Sequence, residues 1–310
     1  MSIELIEEEI RKLRLEMDAM EVGSPEYENQ KDRIYDLQKT FFSSLSAWDR
    51  VTLARDPKRA KAQDYIKHLF TDFIELHGDR GCKDDGAIIG GLAYFEDMPV
   101  TVIAESKGKS FEENMKMNFG MVSPEGYRKA LRLAKQAEKF NRPIITIVDT
   151  PGAYPGKVAE EHGQAEAIAK CLYTFADLKV PVICIVISEG GSGGALALSV
   201  ADRIIMLENA VYSILSPEGF ASILWKDDSK VKEAAEVMKM TSYDLKEEKI
   251  VDYIVKEPIG KIEENFMSVI DQIKRLLHDN LKELSAKKKS VLVEERLNKY
   301  RNLGVPPWKM

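Results

Sequence analysis

Apolar residues near the start of the chain recur with helical spacing. Ile6, Ile10, Leu13, Met17 and Met20 are separated by alternating steps of four and three, which places them on one stripe of a helix. Gly23-Ser24-Pro25 interrupts the stripe. A second helical stretch follows with Ile34, Leu37, Phe41 and Leu45 on its apolar side. Residues 1–48 therefore predict a helical hairpin ahead of the main domain. It is either a surface hairpin packed on itself or an arm that docks a subunit.

From residue 87 the period changes. Ala87–Phe95 and Pro99–Ala104 predict two strands joined by the polar turn Glu96-Asp97-Met98. A helix is expected over Pro124–Phe140, then the apolar strand Pro143–Val148. The unit recurs as a helix from about Glu160 to Leu178, a strand over Val180–Ile187, and a helix opening at Gly193-Gly194-Ala195. Asp202–Leu207 and Ala210–Leu215 predict further strands, and Ile262–Leu284 an amphipathic helix bearing Phe266, Ile270, Ile273 and Leu277. Short β-branched runs alternating with helices define an α/β domain, here residues 49–285, whose sheet is covered on its faces. A basic run, Lys287-Lys288-Lys289, opens a C-terminal tail over 286–310 and reads as solvated surface.

Composition narrows the chemistry. With 44% hydrophobic residues the chain can bury a large core. A formal charge of −6 argues against binding nucleic acid by phosphate neutralisation. Cys82, Cys171 and Cys184 form no CxxC pair, so neither a zinc site nor a disulfide framework is signalled, and Cys184 sits in an apolar run as core packing. The acidic N-terminus has no signal-peptide layout, and no apolar run approaches the roughly 20 residues needed to span a bilayer. The expected location is the cytoplasm.

Two turns depart from ordinary loop composition. Asp149-Thr150-Pro151-Gly152-Ala153-Tyr154-Pro155-Gly156 follows one buried-type strand. Ser188-Glu189-Gly190-Gly191-Ser192-Gly193-Gly194-Ala195 follows the next and runs into a helix. Glycine at this density is costly unless a backbone must approach a ligand or adopt positive φ. A helix opening at Gly-Gly presents unpaired N–H groups and a partial positive charge, a site for an anion or a developing oxyanion. The second turn fits neither a dinucleotide fingerprint nor a P-loop. Ser192, within Gly191-Ser192-Gly193, is not read as a hydrolase elbow, and none of His68, His77, His162 and His278 lies in a motif that demands it.

These two turns, together with Gly163-Gln-Ala-Glu-Ala-Ile-Ala169, Ser213-Ile-Leu-Ser-Pro-Glu-Gly219 and Ala221-Ser-Ile-Leu-Trp-Lys226, closely resemble the alpha-subunit family of bacterial acetyl-CoA carboxylase carboxyltransferases. Leu76-His-Gly-Asp-Arg80, Asn118-Phe-Gly-Met121, Pro124–Arg132 and Ala54-Arg55 with Pro57-Lys58-Arg59 extend the resemblance over most of residues 50–260. The chain departs from the family's usual residues at His162 (Arg), Ala165 (Ser), Asp56 (His) and Ala60 (Pro). The resemblance implies a crotonase-like (ClpP/crotonase) α/β fold of repeated ββα units, with the N-terminal hairpin and C-terminal helices added. It implies carboxyl transfer from carboxybiotin, held on a separate biotin carboxyl carrier protein, to acetyl-CoA, giving malonyl-CoA for fatty acid biosynthesis. The implied partner is a beta subunit in an α2β2 assembly. That subunit carries the zinc, none being expected in this chain, and a biotin carboxylase consumes the ATP.

Under that resemblance, backbone donors do the chemistry. The catalytic amides are expected at Gly193, Gly194 and Ala195, with Ala153 or Tyr154 opposite. Gly152, Gly156, Gly190 and Gly191 shape the turns, Lys157 or a residue of the partner supplies the charge if the arginine replaced by His162 contacts an anionic group, and Tyr154 either packs on the biotin ring or in the core. Glu189 is expected to be structural rather than a base. Carboxyl transfer to another acyl-CoA, such as propionyl-CoA, and a crotonase-type hydratase or decarboxylase using Glu160, Glu161 or Glu189 are the alternative activities.

Overall fold

β-branched residues dominate the centre of the chain, and they form the middle of one sheet. The computed structural model describes residues 3–258 and 262–304. Its strands are β1 (Thr71–Glu75), β2 (Ile88–Phe95), β3 (Met98–Glu105), β4 (Ile144–Thr150), β5 (Val182–Gly191), β6 (Arg203–Leu207), β7 (Val211–Ser213) and β8 (Tyr253–Val255). The sheet order is β1-β2-β3-β4-β5-β6-β8, with β7 added to the end of β5. β1, β2 and β3 pair antiparallel, and from β3 onward the strands run parallel. β4 is buried at every position, as expected of a parallel strand covered on both faces. The β2–β3 hairpin closes on two residues, Glu96 and Asp97, with Phe95 opposite Met98, so the expected three-residue turn is one residue shorter. β1 had no sequence counterpart.

The helices before the sheet are α1 (Ile3–Met17), α2 (Pro25–Ser44), α3 (Ala47–Ala54) and α4 (Ala62–Leu69). α1 and α2 form the hairpin, with a core of their own built from Ile6, Ile10, Leu13, Ile34 and Phe41. Met20 falls beyond the end of α1. Ser24 caps α2 by accepting the Tyr27 amide, with Pro25 at its first position.

The covering helices follow in order: α5 (Phe111–Lys116), α6 (Pro124–Lys139), α7 (Lys157–Glu161), α8 (Gln164–Asp177), α9 (Ser192–Ser199), α10 (Pro217–Phe220), α11 (Val231–Val237), α12 (Ser242–Glu247), α13 (Ile262–Ser285) and α14 (Lys289–Asn302). The helix expected over Glu160–Leu178 is two helices, because Gly163 adopts φ 80° between them. α6 turns Tyr127, Ala130, Leu133, Ala134 and Ala137 onto the main core, and α13 adds Ile270, Ile273, Leu277 and Leu281. Cys184 is fully buried there. α14 is anchored by Arg296, buried at 1% exposure, which pairs with Asp202 at 2.7 Å and donates to the carbonyls of Phe175, Leu178 and Val180. In the basic run, Lys287 is paired with Glu283 and Glu295, and Lys289 donates to Asn141. Among the described residues no helix is long and apolar enough to cross a membrane.

Candidate active site

β3, β4 and β5 are parallel neighbours, so their C-terminal ends meet along one edge, the position at which open α/β sheets bind ligands. Four charged residues converge there. Lys107, just past β3, sets its Nζ 3.0 Å from Asp149 Oδ1 of β4 and 2.5 Å from Glu189 Oε2 of β5. Arg55, the residue after α3, donates from Nε to Glu189 Oε1 at 2.7 Å and reaches Glu218 of α10 at 2.5 Å. Burial alone would raise the Glu189 pKa, but Lys107 and Arg55 outweigh it and hold the carboxyl below its usual range. Lys107 is likewise raised, its two carboxylates overcoming burial. Both Glu189 oxygens are occupied and the group stays ionised, which suits a structural strut rather than a proton acceptor. Glu160 and Glu161, the other candidate acids of a hydratase, lie exposed on α7.

The two glycine turns touch beside this cluster. A Cβ built on Gly191 would lie 2.0 Å from the Pro151 carbonyl oxygen, and one on Gly194 would lie 2.6 Å from the Ala153 nitrogen and 2.7 Å from the Gly152 carbonyl carbon. Only glycine allows main chain to meet main chain at this distance. Gly152, at φ 146°, donates its amide to Thr150 Oγ1 at 3.0 Å. Gly156 lies under the Tyr154 ring and Gly190 under the Tyr212 ring.

Ser192 stands at the strand-to-helix junction with φ 54°. The spacing Gly190-x-Ser192-x-Gly194 does satisfy the nucleophile-elbow pattern, contrary to the sequence reading, and the backbone makes the sharp bend. A base is missing: the four histidines bond Asp64, Asp84, Glu125 and Glu96 through Nδ1, and none bonds Ser192.

Two expected donors are corrected by the geometry. The Tyr154 amide donates to the Val122 carbonyl at 3.0 Å, so it is not available to a ligand. With Gly191 as the N-cap of α9, the amide of Ala195 is the first that reaches back into the helix, to the Gly191 carbonyl, and Ala195 is fully buried. Gly193 and Gly194 precede that first bond, and among the described residues no turn or loop backbone bond takes their amides or that of Ala153, whereas Ser192 follows directly on the β5–β7 ladder, whose last pair is Gly191 and Ser213. The helix opens at Ser192, one residue earlier than expected, and Gly193 and Gly194 remain the candidate donors. Lys157 is exposed at the start of α7, 3.5 Å from Glu161. Gln164 was not singled out, yet its Nε2 donates to both the Val122 and Tyr154 carbonyls at 2.9 Å and fixes the first turn from behind. Its only sequence signal was its place in the Gly163–Ala169 run.

A mixed sheet whose C-terminal edge carries two abutting glycine turns is the crotonase-type fold, the fold on which carboxyltransferases are built. Solved structures share the fold. The transcarboxylase 12S core superposes with a TM-score of 0.60 at 20% identity, covering 73% of this chain and 43% of that longer one. The beta subunit of geranyl-CoA carboxylase from P. aeruginosa gives 0.58 at 16% identity, over 82% and 46%. A Pseudomonas malonate decarboxylase hetero-tetramer gives 0.56 at 17% identity, over 70% and 88%.

Sequence comparison specifies which carboxyltransferase. The family described as acetyl co-enzyme A carboxylase carboxyltransferase-like matches residues 1–304. Acetyl-coenzyme A carboxylase carboxyl transferase subunits alpha from Bacillus cytotoxicus and Bacillus cereus are each 54% identical over 274 residues, 88% of this chain and 85% of theirs. The chain belongs to the acetyl-CoA carboxylase carboxyltransferase alpha-subunit family.

Proposed function

We propose that this chain, paired with a beta subunit, transfers a carboxyl group from carboxybiotin on a carrier protein to acetyl-CoA, forming malonyl-CoA. The observation that carries the site assignment is the contact of the two turns at Gly191 and Gly194, which leaves the amides at the head of α9 beside that of Ala153. The direct packing of main chain on main chain at Gly191 and Gly194 holds the amides of both turns in fixed positions, which suits the rigid ring of a cyclic urea. Carboxybiotin would supply the activated carboxyl group and, after losing it, a basic ureido nitrogen that accepts the substrate's proton.

The chain's part is to hold an oxygen as it becomes negative. Donors at Gly193 and Gly194, reinforced by the partial positive charge of the helix start, stabilise that oxygen. Ala153 supports them from the facing turn, and Gly152, Gly156, Gly190 and Gly191 keep both turns in place. Tyr154, half-buried over Gly156, is offered as a wall for the ring, and Lys157 as a mobile cation at the rim. The beta subunit is proposed to bring acetyl-CoA and the zinc, and to cover the apolar ledge after β7, where Ile214, Ile223 and Leu224 are 83%, 64% and 61% exposed. A biotin carboxylase would recharge the carrier elsewhere in a cytoplasmic α2β2-based complex.

The test is reconstitution with a candidate beta chain, followed by biocytin-dependent decarboxylation of malonyl-CoA, the reverse partial reaction. Turnover by the pair and not by either chain alone is expected. A pair that forms but shows no biocytin-dependent turnover, or that prefers another malonyl-type thioester, would overturn the assignment.

A further inference from the structure

Cys82, Glu125 and His162 are far apart in sequence and meet outside the glycine turns. Their Sγ, carboxylate oxygen and imidazole nitrogen lie within 4.8 Å of one another. We propose that these three atoms form a binding site for a thiophilic divalent cation, of which Zn²⁺ is the probe, with the fourth position open to water. A thiolate, an imidazole and a carboxylate are ligands that zinc accepts, and three protein ligands with an open position make a familiar zinc arrangement.

The supporting shell is already built. Asp79 Oδ1 accepts the amides of Gly81, Cys82 and Lys83 and so fixes the loop that presents Cys82. Glu125 stands in the first turn of α6 with its side chain 1% exposed, and its Oε1 is 2.6 Å from His162 Nδ1. His162 ends α7. One guanidinium ties all three segments together. Arg128 donates from Nε to Asp79 at 2.8 Å, from Nη2 to Glu125 at 3.1 Å, and from Nη1 to the His162 carbonyl at 2.9 Å. Partners of this kind orient metal ligands.

Binding balances in charge. Zn²⁺ replaces the Nδ1–Oε1 hydrogen bond, the neutral imidazole binding through the Nδ1 lone pair as its Nε2–H tautomer, and the Cys82 thiol releases its proton to solvent. Two positive charges on zinc and one on Arg128 then face one negative charge each on Cys82, Glu125 and Asp79. Nδ1 and Oε1 must part by about 0.7 Å to span a tetrahedral zinc with bonds near 2.0 Å.

The full chain, stripped of metal, provides a direct test. Cys82 is the exposed thiol, while Cys171 and Cys184 are buried, so one thiol should react with a chromogenic disulfide in the native protein. One equivalent of Zn²⁺ should slow that reaction at least ~10-fold, and Mg²⁺ should not. Cobalt should give one equivalent's worth of thiolate charge-transfer absorption. That absorption should vanish in Cys82→Ser, and His162→Asn should weaken cobalt binding at least ~10-fold. An unchanged Cys82 rate in zinc, or a band that survives Cys82→Ser, would overturn the site. If His162→Asn fails to fold, the thiol rate in the unaltered chain decides alone.

Discussion

The contact between the turns predicts that adjacent glycines behave oppositely. A Cβ at Gly194 meets main-chain atoms at 2.6 and 2.7 Å and the Tyr127 hydroxyl at 2.9 Å, and main chain cannot move aside as a side chain can. One at Gly193 meets only Ile168 Cγ2, at 3.8 Å, an ordinary contact, and Gly193 has no positive φ. Gly194→Ala should therefore cost about 1–3 kcal/mol as overpacking, a fall in Tm of roughly 2–6 °C for a chain of this size. Because relief pushes the turns apart, it should also misplace at least one donor, worth about 3 kcal/mol or roughly 100-fold in kcat. Gly193→Ala should hold or raise stability by about 0.4–1 kcal/mol, with kcat within a few-fold of normal and any loss carried by KM for biocytin. Calorimetry and the reverse assay with a beta chain measure both. A Gly194→Ala protein that melts and turns over like the unaltered chain would refute the reasoning. Gly194→Val should perturb folding as well as turnover, since its first carbon already collides.

Glu189→Gln should lower stability, by up to about 3 kcal/mol as a partly broken buried ion pair, while leaving the pH profile of kcat in place; loss of the profile's acidic limb would make Glu189 the base. Glu105 is fully buried with neither oxygen bonded, and burial, aided by Asp149, pushes its pKa well up. Its raised folded pKa favours the native state below the ordinary carboxyl range near 4.3, and that contribution is lost as pH rises through the folded value. Glu105→Gln should then gain stability increasingly with pH, and urea midpoints that run parallel to those of the unaltered chain would refute it. Asp84 behaves in the opposite sense. Burial would raise it, but the Gly78 amide, Lys129 and His77 together bring it down to about 2. Its contribution is complete above its ordinary 3.8 and disappears as pH falls toward about 2, so Asp84→Asn should flatten the acid limb of the melting curve.

Legibility in the sequence followed how local each cause was. β4 and β5 could be read because a strand buried on both faces needs an unbroken apolar run, and the two turns because dense glycine has few other uses. β1 was missed: Thr71-Asp72-Phe73-Ile74-Glu75 is largely exposed at the sheet's rim and shows no apolar alternation. The break between α7 and α8 rests on one left-handed glycine inside an otherwise helical pattern. Amide direction was beyond reach, since the Tyr154 donor is consumed by Val122, a partner set by packing rather than by neighbours along the chain. The Arg55–Glu189 and Lys107–Glu189 pairs join residues 134 and 82 positions apart, a separation that leaves no local trace.

That ionic network resolves a difficulty in the electrostatics. The donors proposed for a negative oxygen stand beside Asp149 and Glu189, whose charges would oppose it. Lys107 lies between the two carboxylates and Arg55 closes the outer side of Glu189, so the four inner charges cancel. With the formal charges neutralised, the amide dipoles at the head of α9 are the field that remains at the turn. Being fixed by the chain itself, they need no reorganisation as charge develops, which is the condition for strong stabilisation in a site closed to water. Under the proposed assignment the same arrangement explains why the clearest mark in this sequence is missing side chains: amide donors belong to nearly every residue, and only the removal of Cβ atoms lets the two turns meet.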